Sequence, residues 1–208
     1  DQSIFVRAKL DGARLDGMKG MLSLFGKASF RGARARGLDL FQSELSECDL
    51  READFSGASL VRCLLRLSDG RGAIFEGARL GHACFESAEL EGARFARATG
   101  PFPSFMKAKL DRTDFSHVVF PGAHFSEAKG SATQFYAASL PDARFYRAAL
   151  DKAHFAKANL KSADFGLSVI PRSSFEGASL YDAKMIRTSG EGCNFVNANL
   201  RRSTLENA

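Results

Sequence analysis

Residues 153–165 read Ala-His-Phe-Ala-Lys-Ala-Asn-Leu-Lys-Ser-Ala-Asp-Phe, and this stretch shows the pattern that decides the fold. A large apolar residue recurs at every fifth position, at Phe155, Leu160 and Phe165, and an alanine stands two places before each of them. The same register runs outward over the chain without an insertion or a deletion, and it includes all but two of the 19 Phe residues. The sequence is therefore a tandem repeat of the form small-x-large-x-x.

A period of five residues is typical of neither a helix nor an ordinary strand. It rotates successive apolar side chains by about 140° around a helix, so that no apolar stripe forms. In a straight strand it would place consecutive large residues on opposite faces. The pattern instead predicts a chain that turns every five residues and directs one small and one large side chain inward. Glycines are frequent in the two positions after the large residue, where such turns need them.

The large positions also carry a second, longer period, which spans four of the five-residue units. Two of the four sets of positions spaced 20 apart, those that begin at Phe5 and Leu15, are mostly Phe. The other two sets are mostly Leu, and their only phenylalanines are Phe30 and Phe120. A five-residue repeat alone would not produce this modulation. It predicts four turns per coil, with Phe on two opposite sides of the core and Leu on the other two.

This repeat resembles that of the pentapeptide repeat family, whose motif is Ala-(Asp/Asn)-(Leu/Phe)-x-x. Residues 53–55 (Ala-Asp-Phe) and 198–200 (Ala-Asn-Leu) match it fully, whereas Arg34 and Ser59 stand at the Asp/Asn position. The resemblance covers the whole chain. It implies an all-β fold, a right-handed quadrilateral parallel β-helix (solenoid) of about ten 20-residue coils. We expect residues 1–208 to form a single pentapeptide-repeat β-helix domain excised from a longer chain, because solenoids need terminal units that cover the core.

Some large positions carry small residues instead. Gly20 follows Met18 and Ala35 precedes Leu38, which predicts that a neighbour returns the lost volume in both cases. Four glycines have no evident partner of this kind: Gly70, Gly100, Gly130 and Gly190. For these the sequence leaves three interpretations open, namely local narrowing, a buried water and a different turn.

The composition excludes several classes of protein. The 208 residues are 45% apolar and 25% charged, which supplies a core and argues against disorder. No stretch approaches the roughly 18–20 consecutive apolar residues of a membrane span. No signal peptide is visible, and four dispersed cysteines argue against a disulfide scaffold. We expect a cytoplasmic bacterial protein, with secretion by a route that needs no signal peptide as the alternative.

Residues that often carry chemistry are dispersed along the repeat. The histidines lie on different sides or coils: His82, His117, His124 and His154. The cysteines occupy the small inward position or the one after it: Cys48, Cys63, Cys84 and Cys193. Because catalysis and metal binding need convergent polar groups, we expect no enzyme, no metal site and no cofactor. The cysteines are expected to fill the core as small apolar residues.

Two surface features are candidate interaction sites. The first is a mostly apolar stripe on one face, which follows positions spaced 20 apart and the residues beside them: Met21, Leu22, Phe41, Val61, Pro101, Phe102, Pro121, Pro141 and Tyr181. The second is a basic patch on the opposite face: Arg31, Arg34, Arg51 and Arg71. An exposed apolar patch often marks an interaction surface. Stacked arginines are typical of a phosphate-facing patch or of a solvated ladder, and the acids Asp49, Glu52 and Asp54 favour the ladder.

These observations favour a non-enzymatic protein-interaction or scaffold module. The family resemblance suggests one domain of a larger bacterial protein, associated with secretion or with effectors. The expected partner is another protein or a flanking domain, with end-to-end or side-by-side self-association as an open alternative. Nucleic-acid binding is disfavoured because basic and acidic residues are interleaved.

The alternative function is topoisomerase protection. The family's quinolone-resistance branch looks like a rod that mimics DNA and binds gyrase through an acidic surface as a dimer. This sequence departs from that branch in its net charge of +5, in the absence of a loop between coils and in the absence of a C-terminal helical segment for dimerisation.

Overall fold

The computed structural model describes residues 2–207 and shows a parallel β solenoid. Each five-residue unit contributes one bridging residue followed by a two-residue turn, and almost all of these bridges are isolated. Every bridge joins residues 20 positions apart in parallel, from the pair Ile4 and Leu24 to the pair Lys184 and Thr204. No helix occurs within residues 2–207. The predicted all-β parallel architecture is therefore confirmed.

Two segments have enough consecutive pairing to form short strands. Strand β1 (Lys129–Ser131) pairs in parallel with β2 (Ala149–Asp151), and Gly130 lies opposite Leu150. A Cβ on Gly130 would lie 2.9 Å from the carbonyl carbon of Leu110 in the preceding coil. Glycine thus allows the backbone of β1 to approach that coil closely.

The turns share one conformation. The second residue after each large residue has a positive φ, between 51° at Lys152 and 72° at Gly192. At most units, as at Ala8 and Phe5, the N–H of the fourth turn residue donates to the carbonyl of the large residue, here over 2.9 Å. Positive φ confined to the third residue of such a turn defines type II. The glycines needed for positive φ therefore concentrate at the second position after the large residue.

The Asp/Asn position of the repeat stabilises the following turn. The Asp54 carboxylate accepts a hydrogen bond from the Ser56 N–H at 3.0 Å, and the Asp164 carboxylate accepts one from the Gly166 N–H at 2.8 Å. Short polar side chains that bond the backbone two residues on are typical of Asx turns. This local hydrogen bond explains why the motif prefers Asp or Asn immediately before the large residue.

Two columns of Phe fill the core, as the longer period of the sequence predicts. Within a column the rings are parallel, as for Phe85 and Phe105, whose centroids are 5.1 Å apart with an interplanar angle of 8°. Between the columns they meet edge to face, as for Phe85 and Phe95 at 5.5 Å and 90°. Aromatic rings favour both arrangements. All three side chains are fully buried.

The structure shows how the core tolerates small residues at large positions. Leu38 is 4% exposed beside the fully buried Ala35, which confirms the predicted compensation there. The prediction for Met18 was wrong, because its side chain is 53% exposed. The space beside Gly20 is instead taken by Leu40, whose Cδ2 would lie 3.0 Å from a Cβ on that glycine.

Two of the four glycines without an evident partner are packed against a neighbouring side chain. A Cβ on Gly70 would lie 2.9 Å from Cδ2 of Leu90, and a Cβ on Gly190 would lie 3.2 Å from Sγ of Cys193. At Gly70 the missing volume is therefore filled from an adjacent coil. Gly190 contacts the next unit but is half-buried and lines an open pocket of about 640 Å³.

Several polar residues in the small inward position bond to the coil before them, whereas Ser68 and Ser203 donate to the carbonyl of the large residue in their own unit. The Thr113 hydroxyl donates to the Leu90 carbonyl, and the Thr188 hydroxyl donates to the Phe165 carbonyl, both over 2.8 Å. Ser168 is an exception, because its buried Oγ has no hydrogen-bond partner. The Phe165 carbonyl already accepts from the Thr188 hydroxyl and from the Ser168 N–H. Both of its lone pairs are thus occupied.

We expect the Ser168→Ala substitution to raise the free energy of unfolding by about 1 kcal/mol, because it removes a buried hydroxyl that makes no hydrogen bond. Ser173→Ala is the matched control. The Ser173 hydroxyl donates to the Leu150 carbonyl and accepts from the Ala153 N–H, so its loss should lower stability. Urea denaturation of both variants checks this, and equal losses of stability would contradict it.

Candidate protein-interaction site

In the structure the apolar stripe follows a row of turns, whereas the sequence analysis predicted it on one face of the solenoid. Its members occupy the two turn positions of one corner, and backbone hydrogen bonds join consecutive coils there. The N–H of Leu22 donates to the carbonyl of Phe41, and the N–H of Phe102 donates to that of Pro121, both over 2.9 Å. This ladder fixes successive stripe residues one coil apart, about 4.8 Å.

Exposure varies along the stripe. Phe102 is 58% exposed and Leu22 is 43% exposed. Pro101 is also exposed, and the remaining members are half-buried: Met21, Phe41, Val61, Pro121, Pro141 and Tyr181. The exposed Lys161 separates Tyr181 from the others, and the guanidinium of Arg202 lies 5.8 Å from the Tyr181 ring centroid. The apolar surface therefore lies between Met21 and Pro141.

Gly81 stands between Val61 and Pro101 in this row, and it is buried, because a Cβ on it would lie 3.3 Å from the Cδ of Pro101. Gly100 packs against it from the next coil, so closely that a Cβ on Gly100 would lie 2.7 Å from the Gly81 Cα. The turn after Gly100 has no N–H to close it, because the residue three places on is Pro103. For Gly100 the sequence left a different turn as one of three interpretations, and its close contact with Gly81 was not predicted.

A groove of about 480 Å³ lies here, with Gly81 and Gly100 in its lining. Its apolar walls come from Phe41, Val61 and Pro101, and polar side chains stand around it: Arg62, Arg79, His82 and Thr99. We call this the Gly81 groove. Reading the sequence by stripe positions alone missed Arg62, Arg79 and His82. The sequence carries a signal for the two arginines, because the residues 20 positions before and after each of them are not acidic.

The exposed ring of Phe102 is held in place beside the groove. It stacks on the His82 imidazole with centroids 5.5 Å apart and an interplanar angle of 29°. On the next coil it lies over Gly122, where a Cβ would come within 2.5 Å of the Phe102 Cδ1. The absence of a side chain at Gly122 thus leaves room for the ring, and the ring is positioned without being buried.

The predicted basic patch is paired with acids. Arg51 bonds Asp49 through two nitrogens at 2.8 and 2.5 Å, and Arg71 bonds Asp69 in the same way at 2.9 and 2.6 Å. These guanidinium hydrogen bonds lower the pKa of both carboxyl groups. Such surface pairs contribute only about 0–1 kcal/mol each. Their effect here is to offset the positive charge of the patch.

The other two arginines of the patch lie near the same ladder. Arg34 forms an ion pair with Asp16 at 2.6 Å. The backbone N–H of Arg31 donates to the Asp11 carboxylate at 3.1 Å. The structure therefore brings the four predicted arginines together with carboxylates.

The cysteines differ in burial. Cys48 and Cys63 are fully buried, and burial raises the pKa of each thiol to about 12, so both stay protonated at neutral pH. Cys84 and Cys193 are half-buried. Across the described chain, no group of three or more His, Cys, Asp or Glu could hold a metal ion. A membrane-crossing helix is likewise not found between residues 2 and 207.

Fold and surface together define a parallel β solenoid that displays a row of apolar side chains along its turns. The chain belongs to the pentapeptide repeat family. The family profile for pentapeptide repeats matches eight copies, in residues 28–66, 48–86, 108–145, 131–166 and 172–208. Membership implies a right-handed β-helix, and proteins of this family are generally non-enzymatic structural or interaction proteins.

Solved structures of pentapeptide repeat proteins are similar to this chain. HetL, involved in heterocyst differentiation regulation in the cyanobacterium Nostoc sp. strain PCC 7120, is 28% identical with a TM-score of 0.51, over 94% of this chain and 84% of its own. QnrB1, a plasmid-mediated fluoroquinolone resistance protein, is 17% identical with a TM-score of 0.44, over 81% and 91%. A comparison with curated protein sequences found no significant match.

Proposed function

We propose that this chain is a non-enzymatic protein-interaction or scaffold module that binds another protein, or a flanking domain, through its apolar stripe. The observation that carries the proposal is the exposure of Phe102 and Leu22 on a row of turns. In this proposal the coil is quadrilateral and the rod has about ten coils. The module serves as one domain of a larger bacterial protein, in a secretion- or effector-associated context.

The rigidity of the stripe supports this function. Its backbone is hydrogen-bonded from coil to coil, and the Phe102 ring is positioned by His82 and Gly122 before any partner arrives. Preorganised contact groups lose little entropy on binding. A regulatory role for a chain of this fold also has a precedent in HetL, which is involved in heterocyst differentiation regulation.

The stripe can be tested with charge substitutions. We expect the double variant Phe41→Asp/Phe102→Asp to lose the partner that the parent chain captures from its source cells, because a charge there would be desolvated on binding. The control is Val169→Asp/Ile186→Asp, which alters exposed apolar residues outside the stripe. Affinity capture with quantitative mass spectrometry measures both. Equal capture by the two double variants would refute the stripe as the binding surface.

The DNA-mimic alternative gains no support from the surface. A mimic of duplex DNA needs dense negative charge, whereas the net charge is +5 and many of the acids pair with arginines.

A further inference from the structure

We infer that the Gly81 groove binds an extended acidic peptide, which places one bulky apolar side chain against Phe41, Val61 and Pro101 and sets carboxylates against Arg62 and Arg79. This inference rests on the proposed function and specifies the chemistry of the partner. It depends on three features, namely the shape of the groove, its unpaired positive charge and the partly covered ring of Phe102 beside it.

The shape of the groove suits a single side chain. Val61 and Pro101 stand at stripe positions two coils apart, about 10 Å along the ladder, and Pro101 lies over the buried Gly81 between them. The volume of about 480 Å³ lies within the range of small-ligand pockets. The walls are a phenyl ring, an isopropyl group and a proline ring. An apolar side chain entering there would cover surfaces that are otherwise in contact with water.

The charge around the groove suits carboxylates. Arg79 lies in a ladder between Ser59 and Thr99, and Arg62 follows Gln42 in the column of turn residues. Neither guanidinium is among the ion pairs found within residues 2–207.

The nearest acid of the Arg79 ladder is Asp39, two rungs or about 10 Å away. Its carboxylate accepts a hydrogen bond from the Phe41 N–H at 3.2 Å. Arg51 and Arg71 differ directly from the two arginines of the groove, because each bonds an aspartate two residues before it in the sequence. Positive charge without an internal partner favours an acidic ligand.

The aromatic content of the groove favours a peptide over a single-stranded nucleic acid. Bases bind by stacking on exposed ring faces. Here the His82 imidazole covers one face of Phe102, and the ring edge rests on Gly122. Of the walls, the phenyl ring of Phe41 is half-buried, and Val61 and Pro101 offer aliphatic and proline surfaces, which suit a leucine or isoleucine side chain better than a base.

Fluorescence anisotropy with a labelled hexapeptide tests the inference. The probe has two central leucines flanked by two glutamates on each side, and a second probe carries lysines in place of the glutamates. We expect the acidic probe alone to bind. Arg62→Glu/Arg79→Glu should weaken that binding roughly tenfold or more. The control Lys107→Glu/Lys129→Glu makes the same change in net charge at exposed sites elsewhere and should stay within about twofold.

Further measurements test the apolar wall of the groove, the folding of the variants and the competing nucleic-acid ligand. Val61→Asn should weaken binding of the acidic probe, and circular dichroism confirms that each variant is folded. Equal binding of both probes, or equal losses in both charge-reversal variants, would overturn the inference. So would an oligothymidylate that displaces the peptide and depends on Arg62 and Arg79, which would favour nucleic acid.

The peptide-binding and partner-capture experiments together distinguish failure of the acidic-peptide inference from failure of the proposed function. If the hexapeptide does not bind but Phe41→Asp/Phe102→Asp still abolishes partner capture, the stripe is a protein-binding surface and only the acidic-peptide inference is lost. If the hexapeptide binds as expected and partner capture is unaffected by that double variant, the groove is a site for acidic peptides, but the stripe proposal is lost and with it the assignment of this peptide to the captured partner.

Discussion

The Phe135→Ala substitution is expected to lower the free energy of unfolding by about 3–5 kcal/mol, the largest loss we expect from a single truncation. Phe135 is fully buried and contacts four other rings. Phe115 and Phe155 lie parallel to it at 5.2 and 4.7 Å, and Phe125 and Phe145 meet it edge to face at 5.3 and 5.6 Å. Alanine would remove all four contacts and leave a cavity that the hydrogen-bonded coils cannot close.

The position of the cavity should also change the shape of the urea unfolding transition. Each coil of a solenoid contacts only its neighbours, so a weak coil in the middle separates two halves that can unfold independently. We therefore expect a broadened or two-step urea transition for Phe135→Ala. The control is Phe5→Ala, because Phe5 is 41% exposed and has one ring contact, with Phe25 at 5.0 Å. A near-neutral Phe135→Ala would mean that this position does not face the core.

The fold could be read from the sequence because every unit repeats the same physical requirements. Phe135 and Phe155 stand one coil apart in a register without insertions, so their stacking follows from the repeat alone. The prediction failed at Met18, where the pattern gives the identity of a residue but not whether the coil above encloses it. Its exposed side chain lies in the first coil, near one end of the core.

The candidate site was less predictable because it depends on contacts between coils. Stripe positions could be counted off one coil at a time, and Phe102 is exposed as that count suggests. The Gly81 groove depends instead on where the backbone of Gly100 settles against Gly81 in the coil before it. That position is set by an irregular turn, and the five-residue pattern does not describe it. The unpaired state of Arg62 and Arg79 likewise becomes visible only when ladder neighbours are known.

Gly100→Ala is expected to lower the free energy of unfolding by about 2–4 kcal/mol, because it combines backbone strain with overpacking. Gly100 has φ +133°, a conformation that side chains rarely adopt, and a Cβ would lie 2.7 Å from the Gly81 Cα and 2.9 Å from the Leu80 carbonyl carbon. Both contacts are with backbone, which cannot turn aside as a flexible side chain would. Relief would require the two coils to separate and would break the ladder beneath the groove.

Gly92→Ala separates the two causes, since Gly92 has φ +66° with no atom within 4 Å of its Cβ position. Gly92→Ala should lower the free energy of unfolding by only about 1–2 kcal/mol, which is the penalty for a non-glycine residue in the left-handed conformation. Many non-glycine residues already adopt that conformation at equivalent positions, Ala137 with φ 52° among them. Urea denaturation of both variants, with hydrogen exchange at the His82 N–H, measures the difference. Equal losses would mean that the coils at Gly81 and Gly100 are not in close contact, and the groove would then lack the floor on which peptide binding depends.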